Sequence, residues 1–537
     1  MMRRLLIAGL LSLLPVSAYA QTMVEIPPGQ AWQPIINKAP AGSTFVIKAG
    51  VHRMQQITAR TGDTFLGETQ GGILLAIVSG AKVLDGWQRD GSAWFVTGQT
   101  QQGQRLGGVC WSTHPRCDYP EDLFFDNVMK KHVASRGQVG AGTWFFDYAA
   151  DRIYVGDDPS GRVVETSVTP NLFHLSAASR VTVDRLIVEK YAAASGTSAL
   201  SIGASASGGV DWSVRNSIVR WNHGGGIGTD SRTSAINNLV HHNCGFGFTG
   251  AGSDILIEGN EIAYNNIAAG ATVTRWSANG SDGTCGYNSY WGAGGSKWVW
   301  TTNLIVRNNR SHHNDGPGLW TDINNIGTLY EQNVAFENAR SGIFHEISYD
   351  AVIRKNTLKR NGLSRDYPWW TTSAGIEVTS SRNVEVYENT LEDNFQGITG
   401  LNDHRGAGEY GPWTLINLLV HGNVITYTTE PAAGTGRTGV IDSANLDAFR
   451  PQANNRYTNN GYTRGGDFLW LNQTMSKATW HGQGMDVENA TGGTAPPGIV
   501  ARVTDLIAVT FYGSYAAVAL SLLAGIFWLT RDAHDRK

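Results

Sequence analysis

Two acidic residues close phrases of the same shape, Gly318-Leu-Trp-Thr-Asp322 and Gly342-Ile-Phe-His-Glu346. If the two glycines hold one place in successive turns of a repeat, Asp322 and Glu346 stack in a single column. Neighbouring strands lie about 4.8 Å apart. The carboxylates would then stand about 5 Å apart, the separation of a retaining glycosidase. Charges that close repel, so one pKa rises while the other stays low, as a general acid beside a nucleophile requires. A purely structural pair would instead want a cation, either Arg340 or a bound calcium.

The column nearer the glycines holds Trp320, Phe344 and Glu377. Trp320 and Phe344 would offer ring faces to a sugar, and Glu377 could hold a substrate hydroxyl. Insertions at 271–303, 362–373 and 399–413 flank the same face and are rich in rings, among them Trp291, Trp369 and Trp370. Long aromatic loops around one face make the walls of a groove. Their plainer role would be to pack the loops down. His404 and Arg405 in the third insertion suit an acidic sugar, or ordinary loop polarity. His345 falls at an inward position, and the pairs His241-His242 and His312-His313 lie away from the groove, so no metal site is assigned.

The frame that would position these residues is a repeat. Asn216, Asn238, Asn260, Asn309, Asn333, Asn356, Asn389 and Asn423 each lead a short apolar phrase, with a base period of 22–24 residues. Such a period marks a solenoid. Three short strands fit one coil, with the asparagine at the turn between the second and third, hydrogen-bonding from rung to rung. A helix over 31–38 would cover the first open rung.

From these signals we divide the chain into a secretory leader (1–20), an N-terminal cap with first coils (21–87) and an inserted β-rich subdomain (88–165). A parallel β-helix (166–428), a C-terminal cap and linker (429–504), a transmembrane helix (505–530) and a cytoplasmic tail (531–537) follow. The leader has Arg3 and Arg4 before an apolar run and Ala18-Tyr19-Ala20 at its end. The 506–530 stretch lacks charge and is followed by Arg531, Arg536 and Lys537, which predicts an exported bulk tethered to the membrane. Cys110, Cys117, Cys244 and Cys285 would then meet oxidising conditions, with Cys110–Cys117 and Cys244–Cys285 as plausible pairs. A net charge of −3 gives no footprint for nucleic acid.

The repeat resembles the right-handed parallel β-helix of the pectin-lyase-like superfamily, over most of residues 22–430. That resemblance implies an all-β solenoid and a choice among lyases, glycoside hydrolases, epimerases and adhesins. The Asp322–Glu346 pair and the β-rich insertion are similar to the β-xylosidase type of β-helical glycoside hydrolase. The leading expectation is therefore a hydrolase of a poly- or oligosaccharide, needing no cofactor unless calcium joins the carboxylates. Either order of roles is open; the shorter Asp322 is taken as nucleophile and Glu346 as acid/base. A lyase or epimerase would want Arg or Lys beside a uronate, and Lys297, Arg360, Arg365 and Arg405 all read as loop or flank residues. A non-catalytic glycan binder would use the rings and ignore the carboxylates.

Overall fold

A computed structural model describes residues 22–277, 280–365, 372–464 and 467–487. The expected leader, the 505–530 span, the tail and most of the linker lie outside them. Among the described residues no helix is long and apolar enough to cross a membrane.

One coil shows the plan: Ala374–Thr379, then Arg382–Tyr387, then Thr390–Glu392, each pairing in parallel with its counterpart in the next coil. First-strand residues Ile227, Phe248, Leu319, Ile343, Ile376 and Ile398 are fully buried in the solenoid core. Each such burial stabilises the fold by about 1.5–3 kcal/mol. The helix Trp32–Lys38 closes the first rung, with Trp32 stacked on Phe65 at 6.1 Å. At the other end Phe468–Trp470 pairs antiparallel with Gln473–Met475, which covers the last parallel edge.

The asparagine column is continuous. Asn238, Asn260, Asn309, Asn333, Asn356, Asn389, Asn423 and Asn460 each donate a side-chain N–H to the carboxamide or carboxylate oxygen of the next, ending on Asp486. Asn216 is not in it. Its neighbour Ser217 holds that rung, donating its backbone N–H to Asn238, while Asn216 points out to Asp184. The first phrase is therefore read one residue out of register.

A second column, unnoticed in the sequence, runs from Asn222 through Asn243, Asn265, Asn314, Asn338 and Asn361 to Asn394, at the turn after the third strand. It explains the glycines that open the first strands. A Cβ at Gly318 would meet the Asn338 amide at 2.7 Å, and one at Gly342 the Asn361 amide at 2.7 Å.

The β-rich insertion forms its own eight-stranded sheet between Ala81–Val83 and Val164–Ser167, mostly antiparallel. It carries a separate core that includes Trp144, Phe146 and Ile153. The solenoid closes across it, since Ala76–Ser79 pairs directly with Ile187–Glu189.

Another expectation fails at the largest insertion. Gly294–Thr302 is a first strand, paired with Phe246–Ser253 before it and aligned with Leu319–Thr321 after it. The extra chain is therefore 264–293, ahead of that strand, and the expected insertion of 271–303 takes in the strand itself. Ser296 stands where the other coils carry an apolar residue, which hid this rung.

Both disulfides are present, Cys110–Cys117 and Cys244–Cys285. The second spans 41 residues and pins the 264–293 loop to the solenoid. The loop-closure relation gives it about 4 kcal/mol. Replacing both Cys244 and Cys285 with serine should lower Tm by several degrees, and reductant should lower the wild-type Tm by more than it lowers the variant's, in which only Cys110–Cys117 remains to be reduced.

Candidate active site

Thr321 pairs with His345, so Asp322 directly follows in line with Glu346, and Glu346 pairs with Thr379. The nearer outward column runs Thr249, Lys297, Trp320, Phe344, Glu377 and Thr399. Lys297 belongs to it because Gly294–Thr302 is a rung. A lysine that reads as part of a loop is thus in the sheet.

Its ammonium lies 2.9 Å from the Asp322 carboxylate and 3.7 Å from the centre of the Trp320 ring. Arg405, from the loop after Gln396–Asn402, places Nη1 2.5 Å from Glu346 Oε1. Two anions and two cations thus form one cluster with little solvent: side-chain exposures are 7 % for Lys297 and Asp322, 6 % for Glu346 and 17 % for Arg405. The expectation that this face is short of cations is overturned. Lys297 and Arg405 compensate charges whose burial alone would cost several kcal/mol each.

The two carboxyl groups are not equivalent. Burial first, then the neighbouring Asp322 charge, raises the Glu346 pKa above the ordinary carboxylic range, while Arg405 and Lys297 pull it back. Glu346 is the member disposed to carry a proton; Asp322 has the ammonium. Removing Lys297 removes one of the fields that lower Glu346. Lys297→Met should therefore move the limb of the pH–activity profile that reports Glu346 deprotonation to higher pH, read as log(kcat/KM) against pH.

Glu346 also lines a cavity of about 100 Å³ whose walls include Tyr290, Trp291, Phe344, Arg340 and Glu377. Trp291 is 46 % exposed and Phe344 half-buried, so both offer ring surface. Trp320 does not. It is fully buried, with the Lys297 ammonium on its ring and Phe344 stacked at 5.4 Å, and it works as a shelf for Lys297 instead of a sugar platform. Asp322 lies at the side of this cavity, outside its lining residues.

Glu377 is buried, accepts a hydrogen bond from Ser341 Oγ at 2.5 Å, and is pushed up to about 8, chiefly by burial. The Arg340 guanidinium lies 3.1 Å from the centre of the Tyr290 ring. Tyr290 is braced from the inserted domain, where Trp111 meets it edge-on and the Trp111 N–H donates to Gly286 O. Below that contact, Asp122, His223 and Tyr287 form a buried hydrogen-bonded chain joining the domain to the solenoid.

The other residues disperse. His404 Nε2 lies 3.1 Å from Ala444 O and faces a second cavity of about 440 Å³, which shares Asp403 and Arg405 with the first. His345 is fully buried, pairs with Thr321 Oγ1 at 2.7 Å and is pushed down to about 3 by burial. Trp369 and Trp370 lie outside the described residues. Among the described residues no group of three or more His, Cys, Asp or Glu is arranged to hold a metal ion.

Residues 199–405 match the family described as "Right handed beta helix region". The structure described as the complex of XylC with xylose shares 12 % identity and a TM-score of 0.63, covering 83 % of this chain and 86 % of that one. The mannuronan C-5 epimerase AlgE4 A-module of Azotobacter vinelandii shares 12 % identity and a TM-score of 0.47, over 79 % and 87 %. The polygalacturonase from Erwinia carotovora shares 8 % identity and a TM-score of 0.38, over 85 % and 97 %. No curated protein matches the sequence. With its parallel three-strand coils, capped ends and that matched region, the chain has a right-handed parallel β-helix fold.

Proposed function

We propose that the protein is a carbohydrate-active enzyme, a retaining glycoside hydrolase acting on a poly- or oligosaccharide. The observation that carries this reading is the stacked Asp322–Glu346 pair, with an ammonium beside one member and a raised pKa on the other. In the first step an Asp322 oxygen bonds to the anomeric carbon as the glycosidic C–O bond breaks. Glu346 gives its proton to the departing oxygen. In the second step Glu346 takes a proton from water, whose oxygen displaces Asp322 and restores both groups. Rung spacing supports the retaining order, since an inverting pair needs room for a water between its carboxyls.

A second reading, proton removal beside a uronate carboxylate, is favoured by one finding, the presence of Arg340 and Arg405 in the cavity wall. The leader and the 506–530 segment support export and tethering, and two disulfides suit that compartment.

The test is a panel of neutral and acidic glycans, with xylosides first because the XylC structure is described with xylose. Both new reducing ends and ultraviolet-absorbing unsaturated ends are recorded. Reducing ends alone support the hydrolase. Unsaturated ends, or exchange of the C5 proton without cleavage, replace it with the second reading.

A further inference from the structure

The cavity contains more unsatisfied polarity than two catalytic carboxylates need. Thr379 Oγ1 and Ser373 Oγ both line it, are 2 % and 1 % exposed, and have no hydrogen-bond partner among the described residues. Glu377 lies beside them on the same rung as Thr379, with Ser341 donating to one of its oxygens. A buried hydroxyl without a partner costs about 1–3 kcal/mol. Two such hydroxyls beside a buried carboxyl, converging on one cavity, are the mark of a place that a ligand completes.

We propose that Ser373, Glu377 and Thr379 form a hydroxyl-reading subsite, which fixes the sugar ring beside Glu346 by hydrogen bonds to adjacent ring hydroxyls. The proposal rests on the glycan reading of the cavity and adds its specificity to it. Glu377 acts as a donor: with its pKa raised to about 8, mainly by burial, it keeps its proton at neutral pH. Thr379 and Ser373 donate or accept as the sugar demands. A pocket built this way rejects an analogue lacking the hydroxyl by far more than one lacking a methylene, because its polar groups are then left bare.

The charged groups around Glu377 are Arg340 before it, Glu346 on the adjoining strand, and Asp403 and Arg405 from the loop that closes the cavity; Asp322 and Lys297 stand behind Glu346. The strand on its other side, Gln396–Asn402, brings no titratable group. Burial, more than any of these charges, pushes the Glu377 pKa up to about 8. The neutral form is the donor, so binding holds below that pH and weakens as pH rises through it.

The experiment is calorimetric titration of the full chain with D-xylose, D-glucose, D-galactose and D-galacturonate, and with monodeoxy forms of whichever binds. It is run at pH 6 and pH 9.5 on wild type, Glu377→Gln, Glu377→Ala and Thr379→Val. We expect at least one sugar to bind. The wild type should weaken about tenfold from pH 6 to 9.5, and Glu377→Gln, which keeps an N–H donor, should match it at pH 6 and stay flat. Glu377→Ala and Thr379→Val should each lose about tenfold at pH 6, as should one monodeoxy sugar. Equal binding by all four proteins, a pH trend that survives in Glu377→Gln, or no binding of any sugar overturns the subsite. Binding that follows the expected pattern without turnover in the glycan panel leaves the subsite standing and removes the hydrolase.

Discussion

Asp322→Ala should lower kcat by at least about 10⁴-fold on every glycoside, and azide should restore part of it by forming a glycosyl azide. Alanine at 322 opens space where the short anion can enter, and Lys297, no longer engaged, remains to attract it. Glu346→Ala should behave differently. Proton donation is worth about 10²–10⁴-fold, and it matters only when the leaving oxygen is basic. A 4-nitrophenyl glycoside, whose phenolate leaves unaided, should keep most of its first-step rate, while an alkyl glycoside should lose the full factor. The pair of outcomes assigns roles that stacking alone cannot. Azide should give a glycosyl azide of inverted configuration with Asp322→Ala and of retained configuration with Glu346→Ala; if the two configurations are swapped, the assignments exchange. If neither variant affects turnover, the cluster of four charges is structural.

The second large effect is on folding. Asn333→Ala should destabilise the protein by about 3–5 kcal/mol, read from denaturant unfolding. The Asn333 side chain donates to Val306 O at 2.8 Å and Asn356 Oδ1 at 3.0 Å, and accepts from the Asn309 backbone and side-chain N–H groups at 3.0 Å. All of these lie in the buried turn, and truncation strands several at about 1–3 kcal/mol each. Asn216→Ala provides the contrast. Asn216 is exposed and bonds only outward, to Asp184. Its φ of 51° makes alanine slightly unfavourable, at about 1 kcal/mol. A sequence alignment by eye treats the two asparagines alike, and the unfolding curves should not.

That contrast shows how the sequence could be read and where it misled. Asparagines recurring at one turn betray a solenoid because few side chains can both donate and accept along a stack of backbones. Apolar residues such as Ile343 and Ile376, one or three positions from each outward carboxylate or ring, then give the inward and outward faces by strand alternation alone. The site was legible only in part. Asp322, Glu346 and Glu377 follow from the register, but Lys297 does not, because Ser296 breaks the pattern of apolar partners that marks a rung. Arg405 sits on a loop, and nothing in periodicity says where a loop folds back. Trp320 was placed on the right column and given the wrong task. Alternation says that a ring faces outward, but not that a lysine from the preceding coil will cover it. The second asparagine column was visible five residues after the first, as Asn243, Asn265, Asn314 and Asn338, and its meaning lay in the glycines it forces on the next strand.

The first asparagine column also has a direction. Every carboxamide from Asn238 to Asn460 donates one N–H along the column toward the C-terminal end and accepts from the N-terminal end, while its other N–H goes to a backbone carbonyl of the preceding coil. Aligned amide dipoles add, and a row of them inside a poorly polarisable interior behaves as an electrical needle with its positive pole at the far coil. At that pole stands an anion. Asp486 Oδ1 accepts both N–H groups of Asn460, while Oδ2 takes Trp480 Nε1 and Tyr462 OH. The last turn is thereby a counter-electrode as well as a lid, and its charge is felt along the needle's length. Asp486→Asn would remove the pole and turn one accepting oxygen into an NH2 that faces N–H or O–H donors, so the coils nearest it should be the first to exchange their amide hydrogens.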